Sequence, residues 1–229
     1  MYNAQHHAVM IFTVILFSFS LGHALPEGSG GITKHRQIQM KSLFAAIDAG
    51  NAQKVRDLLK YGADPNAWGN HGERPLMRAI TRGDKKIFDL LIQAGADVRA
   101  PTFFGIRPLH LAASHDELEI AQLLLKKGAG ADAIDSTRTT ALHFAAGKGA
   151  IKVALLLLQY GATINARNTR GLTPLRFSVG RDRPEMVRFL LAHKADKRIK
   201  DNQGTTALDE AKQKHLSAIV SMLLDEKLL

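Results

Sequence analysis

Residues 139–166 read TTALHFAAGKGAIKVALLLLQYGATINA, and this stretch decides the fold. Thr140 is an N-cap candidate, since its hydroxyl can accept from an orphan amide of the first turn, and Ala141 opens a short helix. Ala145 follows Leu142 by three residues, and a small side chain there lets a neighbouring helix approach closely. A turn at Gly149 leads into a second helical segment with an apolar stripe. Gly161 supplies the positive φ expected just past a helix end. One such unit cannot bury its apolar face alone, whereas stacked copies can.

Copies are present. Gly-Ala recurs at Gly62, Gly95, Gly128 and Gly161, each 33 residues after the last, with Lys194-Ala195 on the next step. Leu43, Leu76, Leu109, Leu142, Leu175 and Leu208 keep the same spacing. A small residue stands three places beyond each: Ala46, Ala79, Ala112, Ala145, Ser178 and Ala211. The second segments end on Leu58, Leu91, Leu124, Leu157, Leu190 and Leu223. Six units fit without insertion or deletion. Three series in phase predict a stacked, all-α array of helix–turn–helix units.

These residues resemble the ankyrin repeat, with its T-P-L-H helix start and its G-A-D-x-N-A stretch before a β-turn. The best matches are Arg107-Pro108-Leu109-His110-Leu111-Ala112-Ala113, Thr140-Ala141-Leu142-His143-Phe144-Ala145-Ala146, and Gly62-Ala63-Asp64-Pro65-Asn66-Ala67. Thr173-Pro174 repeats the start with proline at the first helical position. Arg74 and Arg107 replace the capping Thr, and Arg176 and Asp209 replace the His. The resemblance covers residues 36–229 and implies an ankyrin-repeat α-solenoid with atypical terminal caps at Ser42-Leu43-Phe44 and near Leu229. It also implies that His110 and His143 hydrogen-bond backbone in the turn.

The N-terminus is a separate element. Ala8–Leu21 is an uncharged apolar run, too short to cross a ~30 Å bilayer core as a helix. It suits the apolar region of a signal peptide over residues 1–24, with Gly22 and Ala24 as the small residues before cleavage and Leu25 as the first mature residue. The preceding stretch carries His6 and His7 but no Lys or Arg, so an uncleaved membrane anchor and a start at Met10 are the alternatives. Residues 25–35 then form a polar linker. The expectation is an exported protein, secreted or periplasmic.

The chain of 229 residues has 45% hydrophobic and 23% charged residues, as a globular protein does, and only 6% aromatics. It has no cysteine, which excludes disulfide scaffolds, thiol nucleophiles and Cys-ligated zinc. Ten histidines show no recurring third ligand beside His110 and His143; His35, His71, His115, His193 and His215 are scattered. Gly28-Ser29-Gly30-Gly31-Ile32-Thr33-Lys34 lacks the spacing of a phosphate loop. Asp209-Glu210 and Asp225-Glu226 are sequence neighbours that point apart on a helix, and no serine sits in a G-x-S-x-G setting. No cofactor, metal or catalysis is expected.

The net charge of +10 favours an acidic partner. By resemblance, the free positions are the hairpin tips and the exposed ends of the first helices, which line a concave surface. At the helix ends stand Ala49, Arg82, His115, Lys148, Arg181 and Lys214, a ladder with steps of roughly 10 Å, which also offsets helix dipoles. The early tips are apolar, with Trp68, Phe103, Phe104 and Ile106, while Arg138, Arg167, Arg170 and Lys200 make the later ones basic. Trp68 has two readings: part of a binding footprint, or a cover over the edge of the first unit. The expected function is a non-catalytic, monomeric protein-interaction module with an acidic partner. Nucleic-acid or anionic-glycan binding is the alternative, disfavoured for nucleic acid by the apolar tips. A membrane enters only if residues 8–21 stay uncleaved, as a tether.

Overall fold

The computed structural model describes residues 34–69 and 72–225. The expected signal peptide and nearly all of the expected linker lie outside the described residues, as does Glu226. Twelve helices fall into six consecutive pairs: α1 (Lys34–Asp48) with α2 (Ala52–Lys60), α3 (Pro75–Thr81) with α4 (Lys85–Gln93), α5 (Pro108–His115) with α6 (Leu118–Lys126), α7 (Ala141–Lys148) with α8 (Ile151–Gln159), α9 (Pro174–Gly180) with α10 (Pro184–Ala192), and α11 (Ala207–Gln213) with α12 (Ser217–Leu224). The first begins at Lys34, two residues before the expected start of the array. The described residues from Gln39 onward group as one compact unit. Among the described residues an isolated β-bridge, Ile134 to Thr140, stands in place of any strand, and no helix is long and apolar enough to cross a membrane.

The first helix of each pair from α3 onward starts after one extended residue: Arg74, Arg107, Thr140, Thr173 and Thr206. Thr173 and Thr206 accept from the amides of Arg176 and Asp209, as N-cap hydroxyls do. Arg74 caps through no side-chain bond, so the Pro75 that follows it, already fixed in helical φ, starts α3 instead. The last helix ends at Leu224, so Asp225 lies just past it and not within it.

Burial follows the period. Leu43, Leu76, Leu109, Leu142 and Leu175 are at most 2% exposed, and Ala79, Ala112, Ala145, Ser178 and Ala211 are fully buried between helices. The Ser178 hydroxyl donates to Leu175 O at 2.7 Å, which satisfies it inside the helix. Leu58 and Leu208, in the first and last pairs, are only partly buried, because each has a neighbouring pair on one side only.

Side chains also tie pair to pair. Asn66, Asp132 and Asn165 accept from the amides of Asp97, Thr163 and Asp196 at 2.7–2.9 Å. The same place in the period holds Arg99, which has no acceptor, and there a cleft of about 270 Å³ opens between Val98, Arg99, Leu109 and Gly130.

Candidate interaction surface

The hairpins are built alike. Gly69, Thr102, Asp135, Asn168 and Asp201 each donate their amide to the carbonyl four residues on, at 2.8–3.1 Å. Thr102 Oγ1 accepts from Phe104 and Ile106, Asp135 Oδ1 from Thr137 and Thr139, Asn168 Oδ1 from Arg170 and Leu172, and Asp201 Oδ1 from Gln203 and Thr205. The polar side chains at the hairpin base are thus spent on their own backbone. Adjacent tips are joined as well: the Ser136, Thr169 and Asn202 amides donate to Phe104 O, Thr137 O and Arg170 O at 2.9, 2.8 and 3.1 Å. The result is a continuous row of fixed tips, preorganised for contact.

At the start of the row Trp68 and Phe103 stack, with ring centroids 4.9 Å apart and planes 17° apart, and the Arg74 guanidinium carbon lies 3.4 Å from the Trp68 ring centroid. Arg74 Nη1 also donates to Asn66 O. Burial lowers the pKa of Arg74, with Asp64 and Asp97 acting in the opposite sense. Trp68, Phe103 and Phe104 remain 42%, 58% and 42% exposed, so the tryptophan joins two hairpins and still meets solvent. The stack on Phe103 ties Trp68 to the next hairpin. Ile106 is placed differently from the other three: it closes the hairpin at its base and is half-buried. Arg74 is the residue that the sequence reading missed here; it registered only as a departure from the capping Thr.

The later tips and the helix ends hold the cations. Arg167 Nη2 donates to Lys200 O at 3.1 Å across two tips, while the Arg138, Arg170 and Lys200 side chains are exposed. Every ladder position is exposed. His115 is bonded through Nδ1 to Leu111 O at 2.9 Å, and Lys214 donates to Gly180 O at 2.6 Å and pairs with Glu210 at 3.1 Å. Arg82, Lys148 and Arg181 are the ladder cations left unpaired among the described residues.

The two histidines singled out by the motif face inward. His110 Nδ1 accepts from the Arg107 amide at 3.0 Å and Nε2 donates to Ala133 O at 2.8 Å. His143 Nδ1 accepts from Thr140 N–H at 3.2 Å and from its hydroxyl at 2.8 Å, and Nε2 donates to Leu172 O at 3.0 Å. Burial lowers both pKa values, that of His143 to about 4. No group of three or more His, Asp or Glu among the described residues is arranged to hold a metal ion.

Where Arg176 replaces the His, its guanidinium reaches further: Nη1 donates to Thr206 O at 3.0 Å and to Glu210, and Nη2 to Asp201 Oδ2 at 2.8 Å. Asp209 takes the other half of the histidine's work, accepting from the Thr206 amide at 2.9 Å and hydroxyl at 2.6 Å.

A family model for ankyrin repeats, three copies long, matches over residues 23–102, 99–168 and 164–228. No curated protein matches the chain. With the helix pairs, the hairpins and the turn-bonding histidines in place, the chain belongs to the ankyrin repeat family, all-α repeat solenoids that serve as protein–protein interaction modules.

Proposed function

We propose that this protein is a non-catalytic, monomeric interaction module, exported from the cytoplasm, that binds an acidic protein through its hairpin tips and the cationic ends of its first helices. Phe103, Phe104 and Trp68 supply an apolar anchor, since exposed aromatics beside arginine dominate interface energetics. Arg82, Lys148, Arg170 and Arg181 add attraction that raises the association rate and makes affinity depend on salt. The observation that carries this reading is the stacked, half-exposed Trp68–Phe103 pair at one end of a hydrogen-bonded row of tips whose far end is basic. Export rests on the apolar run Ala8–Leu21 and the small residues Gly22 and Ala24.

The test is binding by the Phe103→Ala, Phe104→Ala double variant, with partners recovered from the compartment that holds the mature protein. Weaker binding with an unchanged helical signal supports the apolar anchor; unchanged affinity removes it. N-terminal sequencing of the fractionated protein tests export independently: a start at Leu25 in a soluble exported fraction supports it, and a membrane-bound chain retaining residues 8–21 indicates a tether.

A further inference from the structure

One hairpin departs from the backbone chemistry of the others. The tips need a residue in the left-handed region, and Gly72, Gly105, Gly171 and Gly204 fill that place with φ of 71, 72, 75 and 78°. The remaining tip holds Arg138 at φ 61°. A long side chain in this region is crowded against its own backbone, and unlike Asn or Asp it has no short polar group to compensate locally. Among the described residues the Arg138 guanidinium makes no ion pair or hydrogen bond in return; the bond at this residue is made by its amide, which donates to Asp135 O at 3.0 Å as any residue would.

The neighbouring tip offers a second guanidinium, that of Arg170, unpaired among the described residues. Thr169 N–H donates to Thr137 O at 2.8 Å, so Arg138 and Arg170 each directly follow a residue of the bond that joins the two tips. The acids nearby do not neutralise them. Asp135 Oδ1 is occupied by the Thr137 and Thr139 amides and the Thr137 hydroxyl, and Asp201 by the Gln203 and Thr205 amides and Arg176. Among the described residues neither carboxylate pairs with Arg138 or Arg170, whose side chains are exposed.

We infer that Arg138 and Arg170 form a recognition pair for a carboxylate-rich protein segment, and that Arg138 is held there against its own backbone preference. This rests on the proposed binding by the tips and names the residues that read the acidic partner. Planar guanidiniums carried on a hydrogen-bonded backbone row suit bidentate pairing with carboxylates. Lys194 keeps a similar φ of 66° just past a helix end, so it is the place of Arg138 on the joined row of tips, beside Arg170, that assigns it a contact role.

The experiment compares full-length variants for binding to poly-L-glutamate and for thermal stability. Arg138→Gly is expected to raise Tm by about 1–3 °C while weakening binding about threefold. Arg170→Gln should weaken binding similarly with no gain in Tm, and Arg138→Lys should weaken it too, because an ammonium cannot pair bidentately with a carboxylate. Lys152→Gln, which removes the same charge from exposed α8, should change neither. Equal loss in Arg138→Gly and Lys152→Gln, or a fall in Tm for Arg138→Gly, overturns this inference and leaves binding by the tips standing. No binding of poly-L-glutamate by the unsubstituted chain overturns the acidic partner itself, and this inference with it. Tighter binding to duplex DNA than to poly-L-glutamate overturns the carboxylate assignment.

Discussion

The buried His143 ring spans two helix pairs: its Nδ1 accepts from Thr140 at the start of α7, and its Nε2–H donates to Leu172 O, 29 residues further on, at 3.0 Å. An amide can only donate and a carbonyl can only accept, so the two bonds fix the neutral Nε2–H tautomer. Protonating Nδ1 would remove the acceptor that starts the helix and place a charge in a fully buried site.

The first prediction follows from that pair. Burial depresses the His143 pKa from 6.5 to about 4, so between those values the unfolded chain binds the extra proton and the folded chain does not. Stability therefore falls as pH drops from 6.5 toward 4, by about 3 kcal/mol for this residue at roughly 1.4 kcal/mol per unit. His110, also lowered by burial, adds in the same direction. Thermal melts across this range should show the loss, and NMR should find the His143 ring neutral at pH 6. A charged ring at pH 6 would contradict the assignment.

Arg176 is the counterpart of His143 in the next pair, and it is 7% exposed beside Asp201 and Glu210. Arg176→Ala takes the guanidinium from the buried Asp201 carboxylate and leaves Glu210 paired with Lys214, and should cost about 3 kcal/mol. The same variant should raise the pKa of Asp201, which is lowered in part by its bond to Arg176 although burial pushes the other way. Chemical denaturation together with a carboxyl titration by NMR measures both effects.

Core truncation should depend on position along the array. Leu142 is fully buried between pairs, so Leu142→Ala should destabilise by about 2–5 kcal/mol. Leu208, at the same place in the last pair, is only partly buried. Leu208→Ala should cost less than half as much, because fewer contacts are lost. Equal costs, or a wild-type melt for Leu142→Ala, would place the core elsewhere.

Trp68 is the single tryptophan and reports on the early tips. A Cβ added at Gly72 would stand 2.3 Å from Phe103 Cδ2, closer than any real contact. Gly72→Ala should push the Phe103 ring off Trp68, making the indole fluorescence more accessible to acrylamide quenching. Phe103→Ala should do the same without adding backbone strain. Unchanged quenching in both would separate the two rings.

Much of this was legible as periodicity. Helix pairs, buried leucines, close-approach alanines and turn-bonding histidines recur every 33 residues, because each serves the contact between identical neighbours. What the period could not convey were substitutions that do an old task by new chemistry. Arg176 and Asp209 read as losses of the histidine, yet between them they rebuild its bonds to the next hairpin and to the helix start. Arg74 read as a missing cap, and its contact with Trp68 depends on a side-chain path that spacing does not encode. The charge of the ladder was visible, but its pairing was not. Glu210 on α11 and Lys214 at its C-cap stand four apart, a signal open to sequence, whereas the Lys214 bond to Gly180 O crosses between pairs. The backbone bonds between tips, such as Ser136 to Phe104, carry no side-chain signature at all.

The most direct measurement places a photo-crosslinking benzoylphenylalanine at position 104, on the row of tips, or at position 155, on the exposed face of α8, in cells that express the full chain. If the tips bind a protein partner, position 104 should yield an adduct of defined mass that weakens as salt is raised, and position 155 should yield none. Adducts from position 155 with none from position 104 would contradict binding through the tips.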